Sequence, residues 1–112
     1  MVKIVDDAGA VLFILCYLTS LDEKNQKESE KWDTVYSITR KAFPNVQRDK
    51  RVRDLLNGMV PLELVIHDKR KDNAYYRITD KGKDFYKSRL KSTLETIKNI
   101  VNYELNNELR QS

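Results

Sequence analysis

The sequence predicts an α+β fold: three helices, a two-stranded hairpin and a long closing helix. Three observations predict it. First, two β-prone runs, Leu62-Glu63-Leu64-Val65-Ile66-His67 and Ala74-Tyr75-Tyr76-Arg77-Ile78-Thr79, flank a polar tip at residues 68–73, which is a hairpin pattern. Second, a helix-like stretch with a cationic face, residues 47–59, comes just before the hairpin. Third, the pattern after Thr79 returns to a helical period, and no Gly or Pro interrupts it beyond Gly82.

The length of 112 residues fits one domain. At this size the margin gained by burial is thin, so association of two copies adds stability. Only three Gly and two Pro are present, which favours long regular elements. Trp32, three Phe and six Tyr among many Leu, Ile and Val oppose disorder.

In the first helix, Asp6 or Asp7 is placed to cap the N-terminus, and the helix runs to about Ser20. Val11, Leu12, Phe13, Ile14, Leu15, Cys16 and Leu18 cover nearly its whole circumference. A helix apolar all round is buried on more than one side. The second cover is the C-terminal helix, a partner subunit, or both. Residues 21–31 are charged and read as a loop or frayed helix start. Ser29 or Glu30 opens the second helix, which continues to Phe43 with Trp32, Val35, Tyr36, Ala42 and Phe43 on one side. Pro44 ends it, because proline disfavours helical geometry at the residue before it.

Asn45 then serves as N-cap of a third helix, residues 46–57. Val52, Leu55, Leu56 and Met59 form its inner stripe; Gln47, Lys50, Arg53 and Asn57 project outward, with Arg51 at the border. Gly58 and Pro61 terminate it. In the first strand Leu62, Leu64 and Ile66 alternate with Glu63, Val65 and His67. In the second, Tyr76 and Ile78 share one face, and Tyr75, Arg77 and Thr79 the other. Asp80 caps the last helix, which runs to about Leu109 and is about 40 Å long at 1.5 Å per residue. Phe85, Leu90, Leu94, Ile97, Val101 and Leu105 form its stripe, widened by Ile100 and Leu109. So long a helix outruns a small domain, and its far half is expected to pack on a second copy.

Enzyme chemistry finds little support. His67 is the only His and Cys16 the only Cys, so neither a His cluster nor a thiolate zinc site is available in one chain. His67 reads as a half-exposed strand residue. No Gly-rich loop cradles a phosphate, since the glycines are Gly9, Gly58 and Gly82. The sequence therefore implies no cofactor and no metal. Cys16 fits a reducing cytosol, with a buried inert thiol expected and a redox sensor as the other reading. No signal peptide is evident, and the apolar run at residues 8–18 is too short to span a bilayer, so a cytoplasmic protein without membrane association is expected.

Charge points to a different partner. The chain carries a net charge of +4, and residues 47–91 hold 13 Lys/Arg against 7 Asp/Glu. The excess is thus gathered on the third helix and hairpin, as a phosphate backbone requires. In a helix-turn-helix the second helix of the pair enters the major groove. Gln47, Lys50 and Arg53 are placed to meet base edges. Arg48 and Arg51 flank them toward phosphate. Asp49 and Asp54 oppose this charge, pairing with neighbouring cations or selecting a cytosine amino group. At the hairpin tip, Lys69, Arg70 and Lys71 reach an adjacent minor groove or its phosphates.

Over residues 8–90 the chain resembles winged helix-turn-helix proteins. The run Tyr75-Tyr76-Arg77-Ile78-Thr79-Asp80-Lys81-Gly82-Lys83 resembles the family's second wing strand and its turn into the last helix. Val52-Arg53-Asp54-Leu55-Leu56-Asn57-Gly58-Met59-Val60 resembles the recognition helix and its exit. The last helix is similar to the dimerisation helix of small dimeric members. Two departures stand out: the segment between the first two helices is longer and more charged than usual, and Phe43-Pro44-Asn45 occupies a turn where many members have a small residue. The resemblance implies a winged helix-turn-helix domain at 1–82, a dimerisation helix at 83–112, and double-stranded DNA as partner. A homodimeric transcriptional repressor is expected. The alternatives are a centromere-binding adaptor for plasmid or phage segregation, which would also contact a filament-forming nucleotidase, and a protein–protein module on the same scaffold.

Overall fold

The structure is a computed structural model that describes residues 7–44 and 48–111, with side chains to residue 105. The capping roles expected of Asp6 and Asn45, and the side chain of Leu109, lie outside the described residues. The element order is α1 (Asp7–Lys24), a single 3-10 turn (Glu28–Lys31), β1 (Asp33–Thr34), α2 (Val35–Ala42), α3 (Asp49–Met59), β2 (Val65–Arg70), β3 (Asn73–Ile78) and α4 (Asp80–Gln111). The strands form one antiparallel sheet in the order β1-β3-β2. This is the winged-helix architecture, with the hairpin as the wing and α4 as its long C-terminal extension.

The core forms where α1, α2 and α3 meet one face of the sheet. Ala10, Ile14, Leu15 and Leu18 of α1 are buried against Val35 and Ile38 of α2, Val52, Leu56 and Met59 of α3, and Val65, Tyr76 and Ile78 of the sheet. The all-round apolar character of α1 is only half used within its own chain. Phe13 is 50% exposed, although its ring meets Phe43 edge-on at 5.9 Å. Cys16 is exposed rather than buried, which corrects the expected inert core thiol. It lies beside Tyr86 of α4, and this neighbour together with burial pushes the Tyr86 phenol up to about 12.

The second helix differs most from expectation. It opens at Val35, not near Ser29, and the residues before it turn into a short strand. Trp32 has extended backbone, and Asp33 and Thr34 pair with Tyr76 and Tyr75 of β3. Thr34 is the true N-cap, its hydroxyl accepting from Ser37 N–H at 3.2 Å. Asp33 gathers the junction: its carboxylate accepts from Tyr17 Oη, from Ser37 Oγ at 2.8 Å and from Thr34 N–H at 2.9 Å. Tyr36 is 63% exposed and does not join the apolar side; Ile38 and Thr39 do. As expected from Pro44, the helix stops at Ala42, and Phe43 closes it.

The strand register also shifts. Residues 60–64 form a turn with Glu63 at φ 62°, and β2 begins at Val65. The strand is thus shifted along the chain relative to the expected run Leu62–His67, with Leu64 and Val65 both buried and Ile66 exposed. In β3 the faces are as expected, with Tyr76 and Ile78 inward. Thr79, not Asp80, caps α4: its hydroxyl accepts from Gly82 N–H at 2.9 Å and donates to Leu64 O at 3.1 Å. Gly82 is required there, because a Cβ would lie 2.1 Å from the Leu64 carbonyl oxygen.

One buried carboxylate joins four elements. Asp22 of α1 has a side chain only 3% exposed and meets Lys83 Nζ of α4 at 2.5 Å, Arg77 Nε of β3 at 3.3 Å and Lys31 Nζ of the 3-10 turn at 3.7 Å. Glu23 and Lys87 add a surface pair between α1 and α4 at 2.6 Å. Beyond this point α4 leaves the body: residues 87–105 are all exposed, and the molecule measures 65 × 35 × 24 Å. No helix among the described residues is long and apolar enough to cross a membrane.

Burial raises the Asp22 carboxyl, but the hydrogen bond and charge of Lys83, with Lys31 and Arg77 behind them, hold it below its ordinary value. A carboxyl depressed on folding contributes stability above its unfolded pKa, and that stability is lost as pH falls through the folded value. Asp22→Asn should lower stability by about 3 kcal/mol near neutral pH by leaving the surrounding cations without their carboxylate. It should also flatten the loss of stability below about pH 4. Urea unfolding at a series of pH values reads both; equal acid sensitivity in the two proteins would remove Asp22 from the account.

Candidate nucleic-acid interface

The face of α3 opposite the core is uncovered. Val52, Leu56 and Met59 fix the inward side. At about 100° per residue, the opposite side falls on the row Lys50, Asp54 and Gly58, with Asn57 beside it. All four residues are exposed. Arg53 lies on the flank toward the hairpin. Arg51 lies on the flank toward α1, where its guanidinium grips Asp7 in a two-point pair with one contact at 2.9 Å. Arg48 precedes the helix and is half-buried. Gln47 lies outside the described residues. Helix α3 runs through Gly58 to Met59, so Gly58 does not terminate it and has no positive φ.

Asp49 is accounted for within the protein. Arg40 of α2 donates to it at 3.2 Å and lies over the Tyr36 ring at 4.3 Å. This contact joins the start of α3 to α2 across the Pro44 turn. Asn57 is engaged too: its Oδ1 accepts from Tyr76 Oη at 2.6 Å. Burial raises the Tyr76 phenol above its ordinary value, with Arg53 pulling the other way, so it remains a donor.

The hairpin is tighter than the sequence suggested. Only Lys71 and Asp72 form the turn, and Lys71 has φ 55°, a left-handed value that primed hairpin turns require at their first position. Lys69 and Arg70 sit at the end of β2, paired with Ala74 and Asn73. Successive strand residues face opposite ways, so the three cations part company. Lys69 shares the face of Val65 and His67, toward α3. Arg70 takes the other face, 3.0 Å from Asp68 and over the rings of Trp32 at 5.2 Å and Tyr75 at 5.0 Å.

A groove of about 260 Å³ separates α3 from the wing. Arg53 enters it from the helix and Lys69 from β2, with Tyr36, Asp49, Asp72 and Asn73 on the remaining walls. The structure thus brings Arg53 and Lys69 together, leaves Lys50 on the open helix face and Lys71 at the tip, and commits Arg51 and Arg70 to contacts within the chain. Sequence reasoning put Tyr36 on the apolar side of its helix and missed Arg40 and Asp33. Only Asp33-Thr34 carried a readable signal, a polar pair directly before an apolar period. Among the described residues no group of three or more His, Cys, Asp or Glu is placed to hold a metal ion.

No protein-family model matches the sequence, and no curated protein sequence does. Solved structures do share the fold. A transcriptional regulator from Clostridium thermocellum aligns with a TM-score of 0.63 at 19% identity, covering 88% of this chain and 95% of its own. A protein from Archaeoglobus fulgidus aligns with a TM-score of 0.57 at 15% identity, covering 85% and 93%. A PadR family transcription regulator from Clostridium difficile aligns with a TM-score of 0.56 at 20% identity, covering 84% and 97%.

Trp32 is the only tryptophan, so the placement of Arg70 has an optical readout. Arg70→Ala should uncover the indole to water and shift its emission to longer wavelength, whereas Lys69→Ala should leave the spectrum unchanged. Equal spectra for all three proteins would mean that Arg70 does not rest on Trp32.

Proposed function

We propose that this chain is a sequence-specific double-stranded DNA-binding protein that acts as a homodimer, with transcriptional repression as its role. The observation that carries this reading is the open face of α3, where Lys50 and Arg53 stand beside a groove whose far wall holds Lys69. A helix-turn-helix lays this helix in the major groove, and the wing then lies over flanking backbone. Lys50 and Arg53 are assigned to base edges, as is Gln47 from its sequence position. Arg48, Lys69 and Lys71 are assigned to phosphate. Arg51 and Arg70, expected at phosphate from the sequence, serve instead to hold α3 and the wing in place. Two of the structures that share the fold are transcription regulators, which supports the same reading.

Residues 83–112 are the dimerisation segment in this proposal. Leu90, Leu94, Ile97, Ile100, Val101, Tyr103 and Leu105 are between 42% and 66% exposed in the single chain. They adjoin an apolar groove of about 270 Å³ where Leu12, Phe13 and Cys16 of α1 face Tyr86 and Leu90 of α4. Apolar surface of this extent on one helix is what a partner helix covers. Leu94→Asp combined with Ile97→Asp should give a folded monomer in sedimentation, because these side chains lie beyond the part of α4 that meets the body. A dimer that survives the pair of changes would place the interface elsewhere.

The DNA reading is tested by incubating the protein with fragmented DNA from its source and sequencing what is retained at two salt concentrations. Retention of a single promoter supports repression, and retention of a tandem repeat array supports the segregation adaptor. Retention of nothing at low salt rejects DNA as partner and favours a protein-binding scaffold. On the retained site, Lys69→Ala and Lys71→Ala should each reduce the slope of log affinity against log salt by about one unit. Arg70→Ala should change that slope less than either. Unchanged slopes in the two lysine variants would remove the wing from the interface.

A further inference from the structure

The row Lys50, Asp54, Gly58 on the open face of α3 holds two features that the protein's own packing does not explain. Asp54 is exposed at the middle of that face and forms no hydrogen bond or ion pair among the described residues. The other carboxylates nearby are occupied, Asp49 by Arg40 and Asp7 by Arg51. The charge of Asp54 helps to raise the Arg51 guanidinium, but less than its partner Asp7 does. An unpaired carboxylate here repels a phosphate backbone unless the nucleic acid offers it a donor.

Gly58 lies one turn further along the same row, in the last turn of α3. Glycine inside a helix is less stable than alanine, because it gives up more backbone freedom on folding. Its usual justifications are absent: its φ is not positive, and an added Cβ would meet nothing within 4 Å. The backbone at Gly58 is thus open to approach from outside the protein.

We infer that Lys50, Asp54 and Gly58 form the strip of α3 that lies against the base edges, with Asp54 selecting cytosine and Gly58 giving the helix its close approach. The inference rests on the DNA-binding reading above. The major groove presents two kinds of donor, the cytosine N4 and adenine N6 amino groups. A carboxylate accepts from the cytosine amino group, while adenine sets its N7 acceptor beside its amino group and repels the second carboxylate oxygen. Lys50, one turn earlier on the same row, donates to the guanine O6 and N7 acceptors. The favoured half-site therefore contains a guanine and a cytosine within the few base pairs that this strip covers.

The test is selection of bound sequences from a random duplex library by the full-length protein, its Asp54→Ala and Asp54→Asn variants, and its Gly58→Ala variant. Wild type should enrich sites with a fixed cytosine, and replacing that base should weaken binding about 5- to 150-fold. Asp54→Ala should lose the preference at that one position while binding random duplex more tightly, because a repelling charge is gone. Asp54→Asn should move the preference toward adenine. Gly58→Ala should raise the Tm by about 4 °C yet bind the selected site at least tenfold more weakly. Selected sequences that are identical for wild type and Asp54→Ala would overturn the assignment, as would a Gly58→Ala protein with full affinity. Either result would leave DNA binding itself standing. If wild type retains no duplex at any salt concentration, the DNA reading fails first and the inference goes with it.

Discussion

The arrangement of wing and long helix depends on one charge taken out of water. Asp22 sits near the C-terminal end of α1, where the helix dipole already places negative charge. A second negative charge in that place is stable only if cations and hydrogen bonds replace the water it has lost. Lys31, Arg77 and Lys83 supply them, and each comes from a different element. The same requirement therefore brings the 3-10 turn, the inner wing strand and the first turns of α4 to one point. Hydrophobic contact alone would leave their relative angles looser, because apolar attraction has no direction. The three cations also do not escape to the surface as part of the basic patch, although the charge count of the sequence includes two of them in it.

What could be read from the sequence was what local pattern encodes. The apolar run of α1, the stop at Pro44, the inner stripe of α3, the inward pair Tyr76 and Ile78, and the unbroken period of α4 all follow from spacing within a few turns or residues. What could not be read was set by partners distant in sequence. Asp33 and Thr34 become a strand only because β3, some forty residues later, offers an edge. Trp32 and Tyr36 fit a helical stripe on paper, but one rests under Arg70 and the other under Arg40. The later start of β2 has a local reason that composition hides: Glu63 adopts a left-handed backbone angle without being glycine.

The candidate interface shows the same division. Four of the eight residues chosen from the sequence face or flank an open surface, Lys50, Arg53, Lys69 and Lys71, while Arg48 is half-buried just before α3. The other placed pair, Arg51 and Arg70, are drawn into contacts within the chain by Asp7 and by the aromatic rings beside β1. Strand alternation explains the second case, since neighbours in a strand cannot face the same groove. Charge density along the sequence overstates the charge offered to a ligand for this reason, and only pairing within the fold tells the two apart.

Helix α4 has a consequence for how this protein can change. Among the described residues, the part of α4 beyond Thr93 makes no hydrogen bond or ion pair with another element, so one residue added or removed there strains nothing in the body. It would, however, rotate everything beyond by about 100° and carry the apolar stripe off the seam. Changes of seven residues, close to two full turns, keep the stripe aligned while altering the helix length by about 10 Å. In a dimer joined along this stripe, the shaft is thus a spacer with discrete settings. Natural length variation should fall in such steps, with the distance between the two winged-helix bodies adjusted by whole notches and the bodies themselves left intact.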